Sequence, residues 1–213
     1  MHDDLPFDLT LDTLQHAPVK FLLSEIKCWL SRTNPSCLVH PHGFYVVPLM
    51  QTDLGDWRFH LWAKGRRRIR GMPAFIHNHD RHVESRILMG QLKNVTYEII
   101  PAENNGYPLY EVGYSGNRYR GSTKNSLVKT CRRVIPRVLD TNSSVAGGFY
   151  RVERFAFHEA IVPEDTCTAT LVWMHSKQQG AVSVVGRDKN PDRIEFQRAE
   201  CSGVHVAEAI LSD

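Results

Sequence analysis

Three histidines carry most of the chemistry that this sequence can perform. His77 and His79 are separated by one residue, and His158 follows far downstream within Phe157-His158-Glu159. Alternate side chains of a β-strand point to one face, so a strand through His77 and His79 sends both imidazoles toward one ion. A third imidazole from a distant strand then completes a facial set. Three neutral nitrogens leave the charge of a divalent ion uncompensated and three octahedral positions open, which favours an anionic, chelating small molecule and leaves room for dioxygen. Holding both reactants on one ion turns their collision into a positioned, nearly intramolecular step. Zinc, nickel, manganese and copper accept the same imidazoles, so the donor set alone does not choose the metal. His40 and His42 flank Pro41 and read as a loop pair with no third partner nearby.

The elements that must position these residues are mostly strands. From Pro18 to about Ser31, the apolar residues Val19, Leu22, Leu23, Ile26, Trp29 and Leu30 form a helical stripe that must pack on something. Pro18 suits the first turn of that helix. Beyond Asn34-Pro35 the pattern changes to short β-branched and aromatic runs. They cover Phe44 to Met50, Trp57 to Ala63, Pro73 to Asn78, Glu84 to Met89, Leu92 to Ile100 and Leu109 to Tyr114. Further runs cover Cys131 to Leu139, Phe149 to Glu159, Thr168 to His175, Ala181 to Val185 and Arg193 to Gln197. Turn chemistry separates them at Thr52–Gly55, Glu103–Gly106 and Gly186–Pro191. Many short strands with one helical region predict a sandwich or barrel. We expect a single domain over 1–213, with a helical region at 1–43 and a β-barrel at 44–200.

Composition excludes several classes. The chain has 213 residues, 42% hydrophobic and 23% charged, enough for one buried core. A net charge of +3 is too mild to point to nucleic acid. The basic run Arg66–Arg70 reads as a solvated loop or, alternatively, as a contact for an anionic ligand. Five cysteines without a Cys-x-x-Cys pair suggest neither a disulfide framework nor a thiolate zinc site and fit a reducing cytoplasm. Met1–Pro6 carries acid and no apolar core, against a secretory signal, and no apolar run approaches a membrane span. The oligomeric state is not legible.

The segment Gly71, His77-x-His79, Glu84 and Gly90 resembles the first signature of the cupin superfamily. Within it, Ile76-His-Asn-His79, His82 and Arg86-Ile-Leu-Met-Gly90-Gln-Leu-Lys is most similar to the cysteine dioxygenase, or thiol dioxygenase, family. The resemblance extends over about residues 10 to 185 through the amino-terminal helix, Trp62, His158 and Leu171–Ser176, though only the histidine region is specific. It implies a cupin jelly-roll barrel with amino-terminal helices packed outside. It also implies iron(II) held by His77, His79 and His158, and a dioxygenase that adds O2 to a chelating thiol or amino-acid-like molecule. The thiol supplies the electrons in such chemistry, in keeping with the absence of a Gly-rich dinucleotide loop. Position 79 is His rather than Asp, which disfavours the two-histidine, one-carboxylate oxygenases.

The chain departs from that family at several places. Glu84, counted from His79, takes the position of a fourth, carboxylate cupin ligand, where vertebrate-type cysteine dioxygenases carry a cross-linked cysteine. Counting back from Gly90 places Val83 there instead. Glu84 is therefore a metal ligand, an acceptor orienting a ligand histidine, or a surface residue. The family's early-strand arginine for the substrate carboxylate has no counterpart in Phe44–Met50. Arg58, beside His60 and Trp62 on one strand face, Arg86, and Arg154, which shares a face with Tyr150 and His158, are substitutes for binding substrate. Aligned on Ser176, Trp173 and His175 stand where the family has a histidine and a tyrosine. His175 suits proton transfer, and Trp173 suits a pocket wall for an apolar group. His82 reads as a turn residue or as support for a ligand.

Overall fold

The computed structural model describes residues 5–65, 67, 75–116, 121 and 123–210. Two helices lead, α1 (Leu11–His16) and α2 (Val19–Thr33). Pro18 is the residue that caps α2 rather than its first helical one, and Asn34 ends the helix in the left-handed region, φ 45°, with its N–H on the Leu30 carbonyl at 3.1 Å. The predicted stripe is used: Leu22, Ile26, Trp29 and Leu30 are buried. They pack with Trp57, Phe59, Leu61 and Leu171 on the outer face of a sheet.

That sheet is seven-stranded. It contains β1 (Ser36–Val39), β2 (Tyr45–Thr52), β3 (Gly55–Trp62), β4 (His82–Met89), β8 (Phe149–Val152), β10 (Thr168–His175) and β13 (Glu200–Ser202). Their order is β13-β1-β2-β3-β10-β4-β8, all antiparallel. A second antiparallel sheet contains β5 (Gln91–Ala102), β6 (Tyr107–Tyr114), β7 (Asn125–Val145), β9 (Phe157–Ile161), β11 (Ser183–Val185) and β12 (Arg193–Phe196). Its order is β11-β6-β7-β5-β9, with β12 on β7. A last helix, α3 (Gly203–Ala209), is capped by Ser202 Oγ accepting from His205 N–H at 3.1 Å and joins the core beneath α2 through Val206, Ala207 and Ile210. Among the described residues no helix is long and apolar enough to cross a membrane.

The β-rich body and outer helices match expectation, but the strands form two facing sheets rather than a closed barrel. The alternation that predicts a strand is the same in either arrangement, so only pairing decides between them. Within 1–43, β1 interrupts the helical region, and β13 and α3 extend the ordered body beyond residue 200. Strands of four and three residues and a two-turn helix are too short to show a period. The run Phe149–Glu159 splits into β8 and β9 at a turn where Phe155 adopts φ 62°. The run from Pro73 forms no strand over its described residues, Phe75 to Asn78, apart from a bridge at His77. Gly71 and most of Arg66–Arg70 lie outside the described residues, but Arg67 donates to the carbonyls of Val162 and Pro163 at 2.7 and 2.8 Å instead of facing solvent.

Candidate metal centre

The three histidines meet because an irregular segment is clamped between two strands. His77 bridges His158 on β9 and Val184 on β11, the strands at opposite ends of the second sheet. The His77 N–H donates to the His158 carbonyl at 3.0 Å, and the reverse bond is 2.8 Å. Val185 N–H donates to Ile76 O at 2.9 Å, Asn78 N–H to Ser183 O at 3.1 Å, and Ser183 N–H to Asn78 Oδ1 at 2.7 Å. Phe155 N–H, from the turn that splits the predicted strand, donates to His79 O at 2.9 Å. Backbone partners thus replace the regular ladder, which satisfies the buried peptide groups without a strand. Sequence spacing predicted the convergence of His77 and His79 correctly but assigned it to the wrong element.

The side chains gather three imidazole donors that could hold one ion. The ring centroids of His77, His79 and His158 are separated by 4.7, 4.8 and 5.1 Å, and one donor atom from each lies within 4.8 Å of the other two. His79 Nε2 donates a hydrogen bond to His158 Nε2 at 3.0 Å, a spacing that one ion replacing the proton could also bridge. Metal–nitrogen bonds of about 2.1 Å at right angles place neighbouring nitrogens about 3.0 Å apart, whereas a tetrahedral angle places them about 3.4 Å apart. Two imidazoles are also fixed in tautomer. His77 Nδ1 donates to Phe75 O at 2.7 Å and His158 Nδ1 to Asn94 Oδ1 at 2.8 Å, so each presents the Nε2 lone pair. Asn94, buried on β5, escaped notice in the sequence because a single strand asparagine carries no signal.

Electrostatics favour the same reading. Burial lowers the pKa of all three histidines, and for His79 and His158 burial, with a smaller contribution from neighbouring histidines, takes it well below the ordinary value. All three are therefore neutral at physiological pH, the form that binds a cation. The donor set accordingly fits a divalent transition ion.

The ligands open into a cavity of about 400 Å³ between the sheets. Arg58, His60 and Trp62 line it from β3, Val83 from β4, Tyr150 from β8, and Val172 and Met174 from β10. Val112, Leu127, Val184 and Phe196 face them from the second sheet, with Arg198 just beyond β12. Of the residues expected to bind substrate, Arg58 lines this cavity, as does Tyr150, also expected to contact substrate; Arg86 and Arg154 do not. Arg58 Nη2 lies 3.4 Å from Asp56, a carboxylate that also receives Arg81. His40 and His42, read as an isolated loop pair, instead belong to this cavity: the His42 ring is 5.3 Å from that of His77, and His40 stacks on Phe44 at 4.3 Å. His60 is a further cavity residue, its pKa lowered to about 3 chiefly by burial and then by Arg58 and Arg198.

Other candidates are held away from the three histidine nitrogens. Glu84 pairs with Arg151 at 3.2 Å and lies 3.8 Å from His175, and it does not join the histidine group. Trp173 stacks on Trp57 and His175, with centroids 5.5 and 4.0 Å apart, and packs against the core beneath the helices. His175 bonds Ser176 Oγ at 2.9 Å and borders a separate surface depression with Thr52, Lys177 and Ala181. Strand parity explains all three departures. Val83, Val172 and Met174 face the cavity, so Glu84, Trp173 and His175, each one residue removed, face away. Val83, the residue reached by counting back from Gly90, is the one that faces the cavity. Arg86 donates to Leu14 O and Ala17 O at 2.9 and 2.7 Å and ties α1 to the sheet. Arg154 donates to Ser176 O at 2.8 Å, and His82 pairs with Glu153 at 2.8 Å.

No known family model matches this chain, and a search of curated proteins finds no match.

Proposed function

We propose that this protein is a mononuclear non-heme iron(II) oxygenase of the thiol dioxygenase type, with its two sheets arranged as a cupin jelly roll. The observation that supports the reading is the three-histidine group: His79 and His158 Nε2 stand 3.0 Å apart, the three donor atoms lie within 4.8 Å of one another, and among the described residues no carboxylate joins the group. His77, His79 and His158 would hold the ion, and a four-ligand centre through Glu84 loses its fourth donor. When bound, iron supplies Lewis acidity and the redox chemistry that joins dioxygen to a coordinated thiolate. The chain's own residues do the rest. Asn94 and the Phe75 carbonyl hold two imidazoles in the binding tautomer, Arg58 and Arg198 supply positive charge for an anionic substrate, and the apolar walls exclude water.

A second reading is a metalloenzyme or metal-binding cupin acting on a non-thiol ligand. Val172 and Met174 favour it, because these two β10 residues that line the cavity are apolar, whereas the resembled family has a histidine and a tyrosine near the end of the barrel. Anaerobic loading with iron(II), followed by oxygen uptake and product analysis with a panel of small thiols, separates the two. Sulfinate formed in step with oxygen consumption supports the dioxygenase. Retained iron without uptake on any thiol removes that activity and leaves the second reading.

A further inference from the structure

The cavity is built for more than a short aliphatic molecule. Its volume of about 400 Å³ falls in the range, roughly 300–1,000 Å³, that encloses drug-sized ligands. One wall is a run of rings: Trp62 stacks on Phe44 at 4.5 Å with an interplanar angle of 26°, and Phe44 stacks on His40. Val46, Leu127, Val172, Met174 and Val184 continue the apolar lining. Arg58 and Arg198 border the same space, and His60 Nε2 is buried without a hydrogen-bond partner, an arrangement that a polar ligand group or water ordinarily completes.

Resting on the site described above, we propose that its substrate is an organic anion with a bulky apolar, ring-sized body, which lies against Phe44, Trp62, Val172 and Met174 while the anionic group faces Arg58 and Arg198. A flat ring seats on the exposed part of such a wall by offset stacking, and burial of its apolar surface supplies affinity that a short thiol cannot gain.

Two pairs of probes differing only in a phenyl group test this. With zinc-loaded protein, the β-phenyl derivative of thiolactate is expected to bind about tenfold or more tighter than thiolactate in calorimetric titration. With metal-free protein, hydrocinnamate is expected to exceed propionate in the same direction. Trp62→Ala should shrink the preference, and Arg58→Met should weaken both members of a pair alike. Should Trp62→Ala fail to fold, Val172→Phe fills the apolar end and is expected to exclude the phenyl-bearing probes while admitting the small ones. Equal affinities, or tighter binding of the smaller probe, overturn the proposal. Loss of metal binding by the wild-type protein would instead sink the oxygenase reading, and the metal-free pair would still judge the pocket.

A separate observation concerns two cysteines that do not line the cavity. Cys37 on β1 and Cys201 on the edge strand β13 are directly opposite in the antiparallel register. Such pairs have Cα atoms about 4.5–5.5 Å apart, within the span a disulfide bridges. The Cys37 thiol donates to the Pro35 carbonyl at 3.5 Å, and the proximity of the two sulfurs raises the pKa of Cys37 and lowers that of Cys201. Cys37 is buried, whereas Cys201 is only partly covered. The geometry points to a reversible dithiol–disulfide site that takes small oxidised thiols as its reactant. Cys201 thiolate attacks an external disulfide and releases one thiol. Cys37 then displaces the second, so two protein thiols and one external disulfide become one protein disulfide and two external thiols. Oxidised glutathione is the probe, read by peptide mapping. A Cys37–Cys201 linkage, a fall from five thiols to three where the exposed Cys28 and Cys131 stay free, and loss of the linkage in Cys201→Ser are expected. An intact Cys37 thiol, with glutathione confined to Cys28 or Cys131, overturns the assignment.

Discussion

Asn94 offers the sharpest test of how the fold prepares the metal centre. Its Oδ1 accepts from His158 Nδ1 at 2.8 Å, and both side chains are buried. In Asn94→Leu, a side chain of similar size that cannot accept, His158 loses the partner that fixes its tautomer and ring plane. Removing such support costs about 10- to 100-fold in metal affinity, or about 1.4–2.7 kcal/mol. At a saturating metal concentration, that same energy is missing from the stabilisation that metal confers on folding. For a chain of this length about 1 kcal/mol corresponds to roughly 2–4 °C, so the metal-induced rise in melting temperature should shrink by about 3–10 °C relative to wild type. The assay is thermal unfolding with and without cobalt(II), each variant being compared with its own metal-free form to cancel the direct cost of the substitution. Calorimetric titration supplies the affinity, and Asn94→Asp, which retains an acceptor, should recover most of it. An Asn94→Leu protein with wild-type metal affinity would refute the argument that this hydrogen bond organises His158.

Three further outcomes are expected. Glu84→Gln should leave metal affinity unchanged in calorimetric titration, because Glu84 pairs with Arg151 on the face of the sheet away from the ligands, and a large loss would return it to the coordination sphere. Arg86→Met removes two charge-assisted bonds to Leu14 O and Ala17 O and should cost about 2–4 kcal/mol in urea unfolding without altering metal content; an unchanged midpoint would show that α1 needs no such tie. Metal-free protein should lose stability as pH falls below about 6.5, since His40, His60, His77, His79 and His158 have lowered pKa values and the unfolded chain takes up protons that the folded chain refuses. For His60 the loss runs from the ordinary value of 6.5 down to about 3, at no more than about 1.4 kcal/mol per pH unit. Urea midpoints that match at about pH 7.5 and pH 5.5 would contradict this sign.

The residue types and their local spacing determined a good deal. The period of Val19 to Leu30 sets a helix and its buried face, because a stripe at helical spacing has only one way to leave water. Alternating runs set most of the strands, and Thr168 to His175 appears with the predicted bounds. The grouping of His77, His79 and His158 was also legible, though spacing alone did not choose it, since His40 and His42 are spaced alike; the flanking Gly71, Glu84 and Gly90 and the resemblance they carry did. Tertiary structure alone decided which side of each strand is inside. Parity is relative until one residue is anchored, and a one-residue shift exchanges the faces, so Val83, Val172 and Met174 entered the cavity and Glu84, Trp173 and His175 left it. It alone also brought His40, His42, Arg198 and Asn94 to the centre, because those contacts join elements that are distant in the chain and no local pattern records which strands will pair.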